Sequence, residues 1–290
     1  MAHTGGTPIF EGVPATALAV AHARAVETAS PFPLFSDPYA ESFLAEARWS
    51  PPDRGDSAEP ATSALRAIAI GHVVRTRFLD DFVLSACASG CTQVVLLGAG
   101  LDTRAFRLHW PPGTRLFELD VADMLAFKAK VLTDRGAVPA CERVTLAADL
   151  AGEDWPSSLS AAGLRAGEPT VWIIEGLLMY FTPDHNDRLL TTLHDMSAPG
   201  SALALTLRAR GDELDRQATL VDPGTRLSSV AGLWKSTAPA DPARWLAGLG
   251  WHAEVCTHAG KAREFGRPIP TGTDGRPLAS GYVISARRGD

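Results

Sequence analysis

The stretch VVLLGAGLDTRAFRL, residues 94–108, decides the fold class of this chain. Its apolar run Val94–Leu97 is typical of a buried strand and ends at the turn Gly98-Ala99-Gly100. Asp102 follows, and the sequence from Thr103 predicts the first turn of a helix. A buried strand, a glycine turn and a helix in this order form the nucleotide-binding corner of doubly wound α/β folds. The glycines let the backbone turn tightly and let a ligand approach without a Cβ in the way.

One position departs from the dinucleotide-binding fingerprint. That fingerprint places a third glycine three residues after the second one, and the chain has Thr103 there. The substitution argues against NAD or FAD and favours another ligand that carries an adenosine group.

The rest of the chain alternates strands and helices after a helical N-terminal part. Predicted helices cover residues 14–29, a segment from Asp37-Pro38 to 47, and 61–86, 122–135, 182–196 and 242–249. Predicted strands cover residues 93–97, 115–119, 143–147, 170–174, 202–207, 251–256 and 281–286. Strands that alternate with helices through short links predict a mostly parallel, seven-stranded, doubly wound sheet covered on both faces.

We expect a single domain over residues 1–290 with four parts. These are an N-terminal helical cap (1–90), a cofactor-binding core (91–207), a lid insertion after strand five (208–240) and a C-terminal part of the sheet (241–290). The lid would select the substrate and exclude water. It carries cations that could orient an acidic substrate or remain solvated surface charges: Arg208, Arg210, Arg216 and Arg226.

Composition excludes several classes of partner. The chain has 27 Lys and Arg against 33 Asp and Glu, a net charge of −6, and no basic block, which argues against nucleic-acid binding. No apolar run approaches the roughly 20 residues that span a bilayer, so no membrane association is predicted. We see no signal peptide and no metal-ligand spacing. The scattered cysteines indicate reduced thiols in a cytoplasmic protein: Cys87, Cys91, Cys141 and Cys256.

Four predicted strands end on acidic or glycine positions, namely Gly98, Asp120, Asp149 and Glu175. In open α/β sheets, ligands bind outside the carboxyl ends of the strands. Asp120 follows the glycine turn by about twenty residues, the spacing of a carboxylate that binds both ribose hydroxyls. The alternative is that Asp120 caps the helix beginning near Ala122.

The other two acidic positions have similar alternatives. Asp149 could bind the adenine amino group, with Leu150 packing on the ring, or it could form a turn. Glu175 ends a buried strand, where an unpaired carboxylate would be costly. Either a cationic ligand group or a structural arginine would offset that cost.

Several segments resemble the leucine carboxyl methyltransferase family of S-adenosylmethionine-dependent enzymes, especially its bacterial branch of methyltransferases and polyketide O-methyltransferases. These segments are TALAVAHARAVE (16–27), DPYA (37–40), RTRFLDD (75–81), LLGAGLDTRAFRL (96–108), FELD (117–120), AADL (147–150) and EGLLMYFTP (175–183). They cover most of residues 16–190 in family order. The closing segments FGRP and GYVISARR are similar but less specific.

The resemblance implies a class I methyltransferase, a Rossmann-like fold with S-adenosyl-L-methionine as cofactor. It assigns Arg75 to the methionine carboxylate, and Gly98, Ala99, Gly100 and Asp102 to the neighbourhood of the methionyl group. It assigns Asp120 to the ribose, Asp149 and Leu150 to the adenine, and Glu175 to the methionyl end. Tyr180 would face the substrate.

The predicted function is O-methylation of a small molecule, such as a natural product of secondary metabolism. A carboxylate acceptor is favoured because it needs no general base, and none of the eight histidines stands in a spacing that marks one. The alternatives are carboxyl methylation of a protein C-terminus, a non-catalytic cofactor-binding scaffold and, more distantly, a nicotinamide dehydrogenase. We expect a monomer or a homodimer.

Overall fold

A computed structural model describes residues 13–50, 59–209 and 233–289. The helices are α1 (Val13–Thr28), α2 (Ala40–Glu46), α3 (Glu59–Ala88), α4 (Arg104–Arg107), α5 (Ala122–Asp134), α6 (Trp155–Ala161), α7 (Pro183–Asp195), α8 (Pro242–Gly248) and α9 (His258–Glu264). The strands are β1 (Gln93–Leu97), β2 (Arg115–Asp120), β3 (Glu142–Ala147), β4 (Thr170–Ile174), β5 (Ala202–Arg208), β6 (Trp251–Thr257) and β7 (Gly281–Arg288). A short 3-10 helix spans Leu178–Tyr180.

The seven strands form one sheet in the order β3-β2-β1-β4-β5-β7-β6. Strands β1 to β5 are parallel, and β7 runs antiparallel between β5 and β6. Every residue of β1 and β4 is buried, as expected for central strands covered on both faces. The predicted mostly parallel, doubly wound sheet is confirmed.

Two apolar layers cover the two faces of the sheet. On one face, Trp172 and Leu203 pack in a cluster with Leu190 of α7 and Trp251. On the other, Leu79 and Val83 of the long helix α3 pack with Val94, Leu96 and Ile173 of the sheet. Because α3 lies directly on the central strands, its side chains reach the carboxyl ends of β1 and β4.

The N-terminal helices form a third cluster beside the glycine turn. Leu18 of α1 and Phe43 of α2 pack with Leu101, Met124 and Val131. The predicted helical cap therefore contacts both the turn after β1 and helix α5. Among the described residues, no helix is long and apolar enough to cross a membrane.

Sequence reasoning erred at some element ends. Helix α2 begins at Ala40, and its N-cap is Tyr39 rather than Asp37, whose carboxylate accepts from the Tyr39 N–H and from Arg24. Helix α4 is a single turn. Thr182 does cap α7, accepting a hydrogen bond from the His185 backbone N–H. The sequence analysis did not predict α6, α9 or the 3-10 helix. Of the predicted lid, residues 210–232 lie outside the described part of the chain.

Candidate active site

The glycine turn after β1 has the geometry that its sequence predicts. Gly98 and Gly100 have φ angles of 68° and 47°, in the left-handed region that favours glycine. The Ala99 N–H donates to the Leu119 carbonyl at 2.9 Å, which ties the turn to the neighbouring strand β2. A Cβ on Gly98 would come within 3.1 Å of Leu177. The backbone here is therefore held in place, and the Leu177 side chain leaves no room for a side chain at Gly98.

Asp120, the last residue of β2, faces this turn. Its Oδ2 accepts the Gly100 N–H at 2.6 Å and its Oδ1 accepts the Val121 N–H at 2.7 Å. The helix-cap alternative is wrong, because the N-cap residue of α5 is Val121, and the Asp120 carboxylate bonds the Gly100 and Val121 N–H groups rather than those of the first helical turn. Burial raises the pKa of Asp120, while the two backbone N–H groups oppose that rise. Each carboxylate oxygen retains acceptor capacity for a further donor.

Asp149 and Leu150 follow β3 at the same edge of the sheet. The Asp149 carboxylate accepts the Ala151 N–H at 2.9 Å, so the turn-forming alternative describes its bonding. Leu150 is buried, and its carbonyl lies 2.9 Å from His185 Nε2. β3 pairs in register with β2 up to Asp120, and this pairing places both residues beyond the ribose candidate. Their assignment to the adenine remains a prediction.

Glu175 follows β4 and is paired with two arginines. Its Oε1 accepts from Arg75 Nε at 2.7 Å, and its Oε2 accepts from Arg104 Nη1 at 2.9 Å. Burial alone would raise the pKa of Glu175, but the two guanidinium groups hold it well below its usual range. The structural-arginine alternative is therefore correct, and the structure brings Arg75 to the predicted end of the pocket.

Arg104 is a site residue that sequence reasoning missed. Its guanidinium contacts three carboxylates: Asp80 through Nε at 2.7 Å, and Asp102 and Glu175 through Nη1. Asp102 also accepts the Arg104 backbone N–H at 2.7 Å. Asp102 therefore positions Arg104 beside Glu175. The only sequence signal was the acidic residue two positions before a basic one at the start of a helix.

A second set of polar contacts fastens the N-terminal helices to the turn. Arg24 of α1 donates to Asp37 at 2.7 Å and to the Leu101 carbonyl at 2.7 Å. Thr103 donates its hydroxyl to Asp37 at 2.8 Å. The residue that replaces the third glycine of the dinucleotide fingerprint thus binds the N-terminal cap.

Tyr180 and Arg208 lie on the side of the site that follows β4 and β5. The Tyr180 hydroxyl is 3.4 Å from Thr16 Oγ1 of α1. The Arg208 guanidinium carbon lies 3.4 Å from the ring centroid of Trp234. The Tyr180 side chain therefore contacts the N-terminal cap. Arg208 is the one predicted lid arginine that falls within the described residues.

Two histidines, neither marked by the sequence, lie near this side. Burial lowers the pKa of His72 to about 3, with Arg75 and His258 adding to the effect. Burial also lowers the pKa of His258 to about 3, helped by Arg75 and Arg208. Both imidazoles are neutral near pH 7. His72 could have been suspected, since it lies one helical turn before Arg75, whereas nothing in the sequence pointed to His258.

In the described ranges, no group of three or more His, Cys, Asp and Glu side chains is arranged to hold a metal ion. The model for the leucine carboxyl methyltransferase family matches residues 17–194. The chain belongs to this family. The matched region contains the glycine turn, Arg75, Asp120, Asp149, Glu175 and Tyr180.

Relatives within the leucine carboxyl methyltransferase family extend the match over most of the chain. A protein of Frankia alni, named "Putative S-adenosyl-L-methionine-dependent methyltransferase", is 47% identical over 96% of this chain and 95% of its own length. A protein of Streptomyces coelicolor with the same description is 48% identical over 96% of each chain.

Solved structures share the fold at low sequence identity. A DUF574 family protein from Streptomyces avermitilis superposes with a TM-score of 0.57 at 14% identity, covering 94% of this chain and 97% of its own. A structure titled as a putative methyltransferase from Thermobifida fusca gives a TM-score of 0.52 at 18% identity, covering 92% and 94%. The class I methyltransferase fold is confirmed.

Proposed function

We propose that this chain transfers a methyl group from S-adenosylmethionine to a carboxylate oxygen of a small molecule. Its family and the names of its relatives make it an S-adenosylmethionine-dependent methyltransferase. The observation that carries the proposal is the convergence of the glycine turn, Asp120 and the Arg75–Glu175 pair at one edge of the sheet.

The residues at this edge fit the cofactor. Asp120 is fixed by two N–H groups and keeps acceptor capacity for ribose hydroxyls. Glu175 and Arg75 offer the opposite charges that an ammonium and a carboxylate require, so the two ends of a methionyl group match them. No side chain stands at Gly98 or Gly100, where the backbone would approach the ligand.

S-adenosylmethionine supplies a methyl group already activated by a sulfonium, so the protein contributes mainly position and electrostatics. An acceptor carboxylate is ionised near pH 7 and attacks without losing a proton. An alcohol would need a base with a pKa near the working pH. His72 and His258, with pKa values lowered to about 3, are poor bases for that purpose. Their environment thus supports a carboxylate acceptor.

Two measurements test the proposal in sequence. Calorimetry with S-adenosylhomocysteine should show binding to the purified protein at micromolar concentration. Transfer of a tritiated methyl group should then be screened against small acids, phenols and peptides with a free C-terminus. We expect labelled product from small acids that is lost on mild base treatment, because methyl esters hydrolyse and methyl ethers do not.

Each result bears on a separate part of the proposal. Absence of cofactor binding would overturn the methyltransferase assignment. If every labelled product were stable to base, the proposal of a carboxylate acceptor would be wrong. If only peptides were labelled, the acceptor would be a protein C-terminus rather than a small molecule. The monomeric or dimeric state stays a prediction from the sequence.

A further inference from the structure

Arg208 differs from the other arginines around the site in having no counter-charge among the described residues. Four neighbouring buried arginines each contact at least one carboxylate: Arg24, Arg75, Arg104 and Arg107. Across residues 13–50, 59–209 and 233–289, by contrast, no carboxylate forms an ion pair with Arg208. Burial lowers the pKa of Arg208 to about 10, with Tyr180 opposing that change.

The surroundings of Arg208 leave hydrogen-bonding groups unused. Its Nε is shielded from solvent and has no partner, and the same is true of Trp234 Nε1 and His258 Nε2. These groups lie on one side of the site, because His258 stands against Gly281, the register partner of Arg208. Leaving a buried polar group unpaired costs on the order of 1–3 kcal/mol. A cluster of such groups is more typical of a binding site than of a purely structural position.

The stacking on Trp234 fixes how Arg208 could act. With the guanidinium carbon 3.4 Å from the ring centroid, the indole covers one face of the guanidinium plane. The edge of that plane carries the N–H groups, of which Nε–H has no partner among the described residues. Side-on binding of a carboxylate uses two such N–H groups in a forked geometry.

The position of Arg208 places it toward the acceptor. It ends β5, which pairs in parallel with β4, and Glu175 follows β4. The Gly176 N–H donates to Thr206 Oγ1 at 2.9 Å, so the two strand ends are joined directly. Arg75 and Arg104 already neutralise Glu175 on the cofactor side. Arg208 is thus a separate cation at the same edge.

We propose that Arg208, held against Trp234, binds and orients the carboxylate of the methyl acceptor. This inference rests on the proposed function, since it names a residue that selects the acceptor in that reaction. The forked contact holds both oxygens of the acceptor carboxylate. It thereby orients this carboxylate toward the methyl donor at the Glu175 end of the site.

The test uses the full chain saturated with S-adenosylhomocysteine and paired probes. Benzoate is compared with benzamide, and N-acetyl-leucine with N-acetyl-leucinamide, by calorimetry. Each pair matches in shape but differs in charge. We expect the wild-type complex to prefer the carboxylates by about tenfold or more, roughly 1.4 kcal/mol. Arg208→Gln should remove most of that preference, and Arg208→Lys, which keeps the charge without the fork, should retain only part of it.

Controls separate this inference from the proposed function. Binding of S-adenosylhomocysteine should stay within about twofold of wild type in both Arg208 variants, because the cofactor residues are intact. Arg244→Gln, an exposed arginine on α8, should behave as wild type. If wild type methylates acids but Arg208→Gln keeps the carboxylate preference, the acceptor role of Arg208 is wrong and the function stands.

Three other outcomes would also bear on the proposed role of Arg208 or on the proposed function. Loss of cofactor binding in Arg208→Gln, with normal thermal unfolding, would assign Arg208 to the cofactor site and overturn the proposal. Equal binding of carboxylates and amides by wild type, or no binding of either at millimolar concentration, would overturn it as well. Cofactor binding without any base-labile product would contradict the proposed function alone, because the probe comparison still reports on Arg208.

Discussion

Glu175 and Arg208 stand at the ends of two adjacent parallel strands, yet their electrostatic surroundings are opposite. Glu175 accepts from two guanidinium groups. Arg208 has an aromatic ring against it and, among the described residues, no carboxylate. The first arrangement is charge-balanced before any ligand binds. The second leaves a cation that a ligand would balance. On the two proposals above, the donor side of the site would therefore be built in advance, and the acceptor side would be completed by its substrate.

The largest effect is expected from removing the negative charge of Glu175. Glu175→Gln leaves Arg75 and Arg104 short of a counter-charge in a buried position. Removing one partner of a buried pair costs about 3–5 kcal/mol, a range that the partial exposure of Glu175 reduces. We expect a loss of at least about 2 kcal/mol in the free energy of unfolding and strongly weakened binding of S-adenosylhomocysteine. Urea denaturation and calorimetry measure the two effects.

Glu142→Gln is the matched control for this change. Glu142 on β3 also pairs with an arginine, Arg115, at 2.8 Å, but its side chain is 60% exposed. Exposed pairs contribute about 0–1 kcal/mol. Similar losses in the two variants would mean that the Glu175 pairs contribute no more than a surface contact, and the comparison with Arg208 would lose its meaning.

Asp120 sharpens the comparison, since it bonds two backbone N–H groups and, among the described residues, forms no ion pair. Asp120→Ala should weaken S-adenosylhomocysteine binding about tenfold or more, roughly 1.4 kcal/mol, because the ribose hydroxyls lose their acceptors. Stability should change little, because burial already raises the pKa of this carboxyl. Calorimetry provides the measurement. Asp123→Asn, exposed on the first turn of α5, serves as control, and unchanged binding in Asp120→Ala would rule out the ribose role.

A substitution at Gly98 tests whether the glycine turn beside Glu175 must lack a side chain at this position. Gly98→Ala forces a side chain into the left-handed region at a cost of about 1–2 kcal/mol, and its Cβ would also press on Leu177 at 3.1 Å. Gly136→Ala has a similar φ of 63° with nothing within 4 Å of the new Cβ. We expect both variants to lose stability in urea and only Gly98→Ala to lose cofactor binding. Equal cofactor binding would mean that the ligand does not approach Gly98.

The last prediction, on pH dependence, concerns His258, which lies between the two sides and faces Arg75, Arg208 and His72. Its folded pKa of about 3 is below the unfolded value of 6.5. Between those pH values the unfolded chain binds a proton that the folded chain does not. The free energy of unfolding should therefore fall as pH falls from 6.5, by at most about 1.4 kcal/mol per pH unit for this group.

His258→Asn should consequently show a shallower decline of stability between pH 6.5 and 4.5 than wild type in urea denaturation. The exposed His109 gives the matched variant, His109→Asn, which should follow the wild-type slope. An unchanged slope in His258→Asn would show that the pKa of this imidazole is the same in the folded and unfolded chain, and the argument against its use as a base would fail.

Local sequence patterns were sufficient to predict most of the fold. The apolar runs 93–97 and 170–174 matched β1 and β4 residue for residue, because buried parallel strands are continuously apolar and end at glycine or acidic residues. Short amphipathic segments were less clear. Helix α9 follows β6 directly at His258 and was not predicted, since it lacks the proline that marks the start of the equally short α8.

The site was predictable where a residue occupies a strand end and unpredictable where it depends on a distant partner. Asp120 and Glu175 were found from position alone. The role of Arg104, by contrast, depends on Asp80 and Glu175, which are 24 and 71 residues away in the chain. Nor could the sequence distinguish Arg208 from the other lid arginines, because only the packing of Trp234 and β7 reveals that it lacks a counter-charge.

The position of β7 bears on how the molecule is assembled. β6 precedes β7 in the chain but touches the sheet only through it, since β7 lies between β5 and β6. During synthesis β6 cannot join the sheet until β7 is made. The free edge of β5, next to Arg208, stays uncovered until residues 281–288 emerge. An open apolar strand edge is prone to pair with other chains. A chain interrupted before Gly281 would thus leave the edge of β5 open and β6 without its partner strand, and should aggregate rather than form a smaller working enzyme.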